Sequence, residues 1–415
     1  MISKLEKITD YIWQLPLSYK KGMRVPVRII GSEKIIRTME EVVFAQAVNV
    51  AKLPGLVGFV VLLPDAHSGY GAPIGTVFAT DPKADGVISP GAVGYDINCG
   101  MRLLATNLTI DEVVPRLAKL VNLLFDLVPA GVGREGFLPV TYNELDKIAV
   151  AGASFMVKNG FGWEDDLVHI EEKGSIAGGN PDKVSQRAKE RGKQQLATLG
   201  SGNHYLEIQK VVEIFDQSKA YDFGIMAKDQ VVVMFHCGSR GLGHQIASDY
   251  LHIFTQKLAK YQIAVDDLQL ACAPFDSPDG QSYYQAFVCA ANFAFANRQA
   301  ITYKIREAFA KIFKRGAESL GMNLIYDVAH NIAKIERHIT DNRQQITNKL
   351  VVHRKGATRS FPGQPVIIGG SMETGSYLLS GTKTALSISF GSTAHGSGRI
   401  MSRHQAKQKI RGEEL

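Results

Sequence analysis

Six short islands along the chain set His, Cys, Asp or Lys among glycines and asparagines: Asp96-Ile97-Asn98-Cys99-Gly100, Gly202-Asn203-His204, Phe235-His236-Cys237-Gly238, Ala329-His330-Asn331, His353-Arg354-Lys355-Gly356 and His395-Gly396-Ser397-Gly398-Arg399. If they serve one site, the fold must gather segments from most of the sequence, which excludes a string of linker-separated domains. Thiolate and imidazole bind borderline-soft divalent metals, and a carboxylate beside them suits a harder ion such as manganese or iron. Glycine lets a backbone approach a phosphate where a side chain would obstruct. Together the two vocabularies point to metal-assisted chemistry on phosphate.

The bulk properties set few limits. In 415 residues, 45% hydrophobic and 21% charged content is ordinary for a soluble globular chain. The longest apolar run, 56–63, is too short to span a bilayer, and the first residues mix charges where a signal peptide has an apolar core. A cytoplasmic protein without membrane contact is expected. Cys99, Cys237, Cys272 and Cys289 are irregularly spaced, so free thiols are expected in place of a disulfide framework. The net charge of +7 is concentrated in 183–193 and 399–411. Such runs suit a polyanion, and solvated helix faces are an equally good reading.

Apolar, β-branched and aromatic runs bounded by Gly or Pro predict strands at 57–63, 101–105, 205–212, 230–235, 324–328, 350–353, 366–368 and 386–390. Helical patterns occupy 112–127, 142–158, 182–195, 243–261, 283–313 and 402–408. The expected fold is α+β: one large domain over 1–415 with a helical subdomain embedded at approximately 240–320. His204, His236, His330 and His353 each adjoin or end a predicted strand, a rigid platform for a converging side chain.

Asp96 and Cys99, three residues apart in a glycine-rich turn, can face one ion, and a thiolate can bridge two. Cys237 competes as a ligand, although neighbours on an extended segment point to opposite sides. Taken singly, Cys99 also reads as a small buried hydrophobe and each His as a hydrogen-bonded structural residue. Asp96, Cys99, His204, His236 and His330 would together exceed one tetrahedral structural site, which suggests two ions or an open catalytic site. The segment 238–244 opens a helix, where free N–H groups favour an anion, and no G-x-x-x-x-G-K-[ST] loop occurs in the sequence. Arg240, Arg354, Lys355, Arg359 and Arg399 are candidate phosphate cations. His395, with glycines after it and Arg399 one turn on, can act as a nucleophile toward phosphorus, as a general acid or base, or as a structural residue.

These motifs, joined by Pro64-Asp65-Ala66-His67-Ser68-Gly69-Tyr70-Gly71-Ala72-Pro73-Ile74-Gly75 and Leu199-Gly200-Ser201-Gly202-Asn203-His204, resemble in order and wording the RtcB family of RNA ligases. The resemblance implies joining of RNA 2′,3′-cyclic-phosphate or 3′-phosphate ends to 5′-hydroxyl ends with GTP and manganese, in tRNA splicing or RNA repair. It implies mixed sheets around a centre of two Mn2+ ions bridged by Cys99, with Asp96 and His204 completing one ion and His236 and His330 the other. His395 falls on the family's guanylylated histidine. The guanosine-nucleotide pocket falls on Asn203, His204, Tyr205, Leu206, Glu207, His330, Asn331, Gly369, Gly370, Ser371, Met372, Ser376, His395, Gly396, Ser397 and Gly398. Arg240, Lys355 and Arg399 would hold phosphates of GTP or RNA. The implied partners are tRNA halves or broken RNA ends, with an archease-like activator as a candidate.

Two departures stand out. Ile368-Gly369-Gly370-Ser371-Met372-Glu373 replaces the family's usual Pro-Gly-x-Met-Gly loop, and the sequence reaches Leu415 without the usual C-terminal Val-Lys-Gly segment that contacts the guanine. The second departure keeps two alternatives in view: a non-ligating RNA-end-binding protein and a metal-dependent cyclic phosphodiesterase.

Overall fold

Residues 60–63, Val-Val-Leu-Leu, are all buried because the strand that contains them, Leu56–His67, is covered on both faces. Val60 and Leu62 join one apolar cluster with Leu15, Val27, Ile29, Phe44 and Phe78, while Val61 and Leu63 join another with Val77, Ala79, Leu350 and Val352. Alternate side chains leave a strand on opposite faces, so a continuous apolar run feeds both cores. Each such fully buried Val or Leu contributes about 1.5–3 kcal/mol.

The computed structural model describes residues 2–131, 133–341, 346–371 and 374–397. They form a mixed α+β structure with several sheets. The chain divides into two compact units, the first comprising 1–97, 246–285 and 330–415, the second 98–245 and 286–329.

In the first unit, among the described residues, seven strands pair in the order Glu6–Lys7, Ile12–Leu15, Val27–Ile30, Leu56–His67, Ile74–Thr80, Ile346–Lys355, Asn331–Asp341. Only Val27–Ile30 and Leu56–His67 run parallel. Between them lie the helices Glu33–Thr38 and Glu41–Val50, the long crossover that a parallel pair requires. A short ladder joins Ala357–Arg359 to Ser392–Ala394, and another joins Pro365–Ile368 to Tyr377–Ser380. In the second unit, the antiparallel order is Leu324–Ala329, Gly100–Leu104, Val231–Cys237, Tyr205–Lys210. Its core includes Leu104, Leu120, Val233, Phe235, Phe295, Ile305 and Phe309. No helix among the described residues is long and apolar enough to cross a membrane.

Predicted and observed elements differ in instructive places. Segment 386–390 is not a strand: Lys383–Ser389 is a helix, and its alternating Leu386, Ile388 and Phe390 imitate a period of two. Phe390 at φ 51° and Gly391 at φ 61° end that helix, and the Gly391 N–H donates to Ala385 O at 2.8 Å. The pattern at 142–158 is two helices, Tyr142–Ala151 and Ala153–Lys158, divided at Gly152 with φ 58°. Segment 402–408 lies outside the described residues. The strands Ile12–Leu15, Val27–Ile30, Ile74–Thr80 and Asn331–Asp341 had no predicted counterpart.

Candidate active site

Strand register assembles the first constellation, within the second unit. Gly100 pairs with Cys237, and both Met101 and Tyr205 pair with His236. Cys99 and His204 each immediately precede a strand, so both reach the end of the ladder where His236 stands. Cys99 Sγ lies 3.0 Å from His236 Nε2 and 3.4 Å from His204 Nε2, and the three potential ligand atoms are all within 4.8 Å of one another. The other ring nitrogens face backbone carbonyls: His204 Nδ1 is 2.8 Å from Leu199 O, and His236 Nδ1 is 2.9 Å from Asn203 O. An imidazole that gives Nδ1–H to a carbonyl presents a lone pair at Nε2, the usual orientation of a metal-ligating His.

The backbone beneath this cluster is held tightly. A Cβ on Gly100 would come within 2.1 Å of Val328 O, so only glycine lets the two strands approach beside Cys99. Arg298, fully buried, donates to Asn98 O at 2.7 Å, Asn98 Oδ1 at 3.0 Å and Cys237 O at 2.9 Å, and pairs with Asp327. Arg102 shares the same carboxylate at 2.7 Å, so two guanidiniums surround one Asp. Burial opposes the charge on Arg298, but Asp327 outweighs it and holds the guanidinium above its ordinary value. Arg298 also interacts electrostatically with Cys99 and Cys237. Cys237 turns away from the cluster as alternation requires: its thiol faces Leu199 O at 3.0 Å and Asn297 Nδ2 at 3.1 Å.

The second constellation lies in the first unit. His395 follows the strand Ser392–Ala394, and its Nδ1 is 2.8 Å from Asp65 Oδ2, without the alignment of a linear hydrogen bond. The same oxygen accepts the backbone N–H of His395 at 3.2 Å and of Gly396 at 3.1 Å. Asp65 thereby fixes the turn and sets its carboxylate against the ring that issues from it. The rings of His395 and His330 are 4.9 Å apart between centroids. Asn331 braces two neighbouring loops, donating to Asp96 O at 3.2 Å and accepting from Gly356 N–H at 2.9 Å. Gly356 has φ 60°, and a Cβ there would meet Ile74 Cγ2 at 2.2 Å and His395 Cε1 at 3.1 Å. Asp96 and His330 thus belong to the first unit, and Cys99, His204 and His236 to the second.

The remaining candidates take definite places. In the first unit, Gly369 N–H donates to His395 O at 3.2 Å and Ser397 N–H to Gly369 O at 2.9 Å, which ties two loops together, and Gly370 N–H donates to Ser376 Oγ at 3.1 Å within the first of them; Ser371 is exposed. Met372, Gly398 and Arg399 lie outside the described residues. In the second unit Asn203 is exposed, Tyr205 packs its ring 5.5 Å from that of His236, Leu206 packs against the core, and Glu207 accepts from Gln209 at 2.8 Å. Arg240 donates to Thr198 Oγ1 at 3.2 Å.

Lys355 is buried, its ammonium donating to Gly91 O at 2.8 Å and to Tyr70 O. Burial pushes its pKa down to about 7, against an upward pull from Asp267. Arg354 is not an available phosphate cation. It is fully buried, forked onto Glu336 at 2.6 and 2.8 Å, and donates to Ser392 Oγ at 2.8 Å and Phe390 O at 3.0 Å. His353 is a core residue stacked on Phe78 at 4.4 Å, its pKa lowered by burial to about 3.

The role of Asp65 is not legible from its neighbours in sequence, because its contacts with residues 395 and 396 span 330 and 331 positions. The only local signal was a carboxylate in a strand otherwise almost wholly apolar.

Comparison with known proteins places the chain in a family. The family model described as tRNA-splicing ligase RtcB matches residues 46–415. A tRNA-splicing ligase RtcB of Archaeoglobus fulgidus is 51% identical over 98% of this chain and 86% of its own length. That of Nanoarchaeum equitans is 52% identical over 98% and 86%, and that of Thermococcus kodakarensis 49% over 99% and 87%. A match of this extent, with the family's motifs gathered into two ordered clusters, establishes that the chain belongs to the RtcB family of tRNA-splicing ligases.

Proposed function

We propose that this RNA ligase uses GTP and manganese to join 2′,3′-cyclic-phosphate or 3′-phosphate RNA ends to 5′-hydroxyl ends, through a guanylyl group carried on His395. What carries the reading is His395, held at Asp65 in a turn whose backbone N–H groups bind the same carboxylate. The buried donor set Cys99, His204 and His236, with both Nδ1 atoms facing carbonyls, fits a divalent metal. Asp96 and His330 would complete the set for two ions, and the carboxylate suits manganese. Bound metal would supply positive charge to offset that of the triphosphate and the RNA phosphates.

The protein's own residues do the rest. His395 Nε2 attacks the α-phosphorus of GTP; a P–N bond forms as the P–O bond to pyrophosphate breaks. Asp65 holds the ring and offsets the positive charge that develops on the imidazole. A cyclic RNA end first takes up water to become a 3′-phosphate. An oxygen of that phosphate attacks the guanylyl phosphorus, the P–N bond breaks, and His395 is regenerated. The 5′-hydroxyl then attacks the activated 3′-phosphate and GMP leaves. Loops 369–376 and 395–397, with Asn203, Tyr205, Leu206, Glu207 and Asn331, are the nucleotide contacts in this reading, Arg240 and Arg399 are the phosphate contacts, and Lys355, buried on the carbonyls of Tyr70 and Gly91, braces the adjoining loops. RNA from tRNA splicing or strand breakage is the substrate, and an archease-like protein the candidate activator.

The test is incubation with manganese and GTP radiolabelled at the α-phosphate. Wild type should acquire an acid-labile, base-stable label, and His395→Ala and Cys99→Ala should remain at background. Absence of label from wild type shown to contain manganese would overturn the proposal.

A further inference from the structure

We infer that the first unit carries a nucleobase pocket built on Tyr70 and Tyr95, which takes a base of the RNA strand whose 3′-phosphate reaches His395; this rests on the ligase reading above. A shallow, open depression of about 300 Å3 is bordered mainly by Tyr70, Tyr95, Ser248, Leu251, His252 and Gln269. The two tyrosine rings meet edge to face, 5.3 Å between centroids at 81°.

Tyr70 is 53% exposed, yet the backbone on both sides of it is pinned. Gln46 bonds to both Gly69 O at 2.6 Å and Gly69 N–H at 3.2 Å, Gln269 Oε1 accepts the Gly71 N–H at 2.7 Å, and Lys355 donates to Tyr70 O. A solvent-facing ring on a braced backbone is a preorganised platform, so little ordering opposes stacking on it.

The lining selects the ligand. No Lys, Arg, Asp or Glu borders the cavity, so a phosphate would find no counter-charge there and a polyanion no repelling carboxylate. A base finds an aromatic face from Tyr70, and the Nε2 amide of Gln269, whose Oε1 is held by Gly71, stands at the rim for its edge. Location bounds the distance to the reacting end. Tyr70 is five residues beyond Asp65, which touches His395, and five residues span at most about 18 Å. A base stacked at Tyr70 therefore lies within a few nucleotides of the reacting phosphate.

The test measures binding of a short fluorescent RNA with a 3′-phosphate, and of versions in which one base at a time is replaced by an abasic sugar. For the full wild-type chain, removal of one base near the 3′ end should weaken binding about 10-fold, the scale of one base–aromatic stack. That penalty should vanish in Tyr70→Leu and persist in Tyr70→Phe, with thermal melting showing both variants folded. Identical abasic profiles for wild type and Tyr70→Leu would overturn the pocket. GTP labelling of the same wild-type preparation separates the two inferences: label without a Tyr70-coupled position removes the pocket and leaves the ligase, and neither label nor RNA binding removes both.

Discussion

Each unit clamps its reactive cluster with one buried arginine, and the two clamps differ in charge. Arg298 in the second unit grips Asn98 and Cys237, immediate neighbours of Cys99 and His236. Arg354 in the first grips Phe390 and Ser392, which begins the strand leading to His395. Arg298 and Arg102 share a single Asp327 close to a thiol. Arg354 is matched by Glu336, with His338 3.1 Å from that carboxylate. Burial would raise the Glu336 pKa, but Arg354 and His338 override it and hold the carboxyl far below its ordinary value. The second unit's clamp therefore sets a cation near a candidate metal-binding thiol, whereas the first unit's clamp holds a strand in place.

Removing each arginine separates the two roles, and the larger effect on stability is expected in the first unit. Arg354→Met leaves Glu336 buried without its matched cation and should destabilise the protein by about 3–5 kcal/mol in urea unfolding. Arg298→Met leaves Asp327 paired with Arg102, so the loss should be nearer that of its backbone hydrogen bonds, about 1–3 kcal/mol. Metal affinity should reverse the order. Arg298→Met should weaken cobalt binding, followed by the thiolate-to-metal absorption band, about 10–100-fold, and Arg354→Met should not. Equal losses of metal in both variants would erase the distinction.

The nitrogen opposite the reactive one supplies a finer contrast. His204 and His236 face carbonyls, which carry no net charge, whereas His395 faces a carboxylate that can answer charge developing on the ring. Asp65→Asn keeps an oxygen for the two backbone N–H groups and removes the charge. It should slow guanylylation about 10–100-fold while metal content stays at the wild-type level. An unchanged labelling rate would reduce Asp65 to a loop fastener.

What could be read from sequence follows the same division. Cys99, His204 and His236 stand out because each adjoins an apolar strand and a glycine-rich turn, and strand register does the rest. Asp65 and Arg354 are opaque because their roles lie in partners hundreds of residues away or on an unforeseen hairpin. Arg354 reads as a phosphate cation until Asn331–Asp341 pairs with Ile346–Lys355 and brings Glu336 to it. The amphipathic register of 386–390 fails because a seven-residue helix is too short to display its period.

Lys355 offers the smallest and most specific test of the first unit, because its brace is sensitive to pH. Its folded pKa of about 7 lies below the ordinary 10.5, since burial penalises the ammonium. Between those values the unfolded chain holds a proton that the folded chain has released, so stability rises with pH across that window. Below the window both states are protonated and the full penalty applies. Lys355→Met abolishes this titration, although it also strands the carbonyls of Tyr70 and Gly91, which lowers stability at every pH. The informative quantity is therefore the slope: wild type should gain on the variant by about 1 kcal/mol per pH unit from about pH 7 to 9 in urea unfolding. A constant difference would mean that the two carbonyls fully compensate burial and that the ammonium stays charged, making the first unit's loops as firmly ion-braced as Arg298 makes the second's.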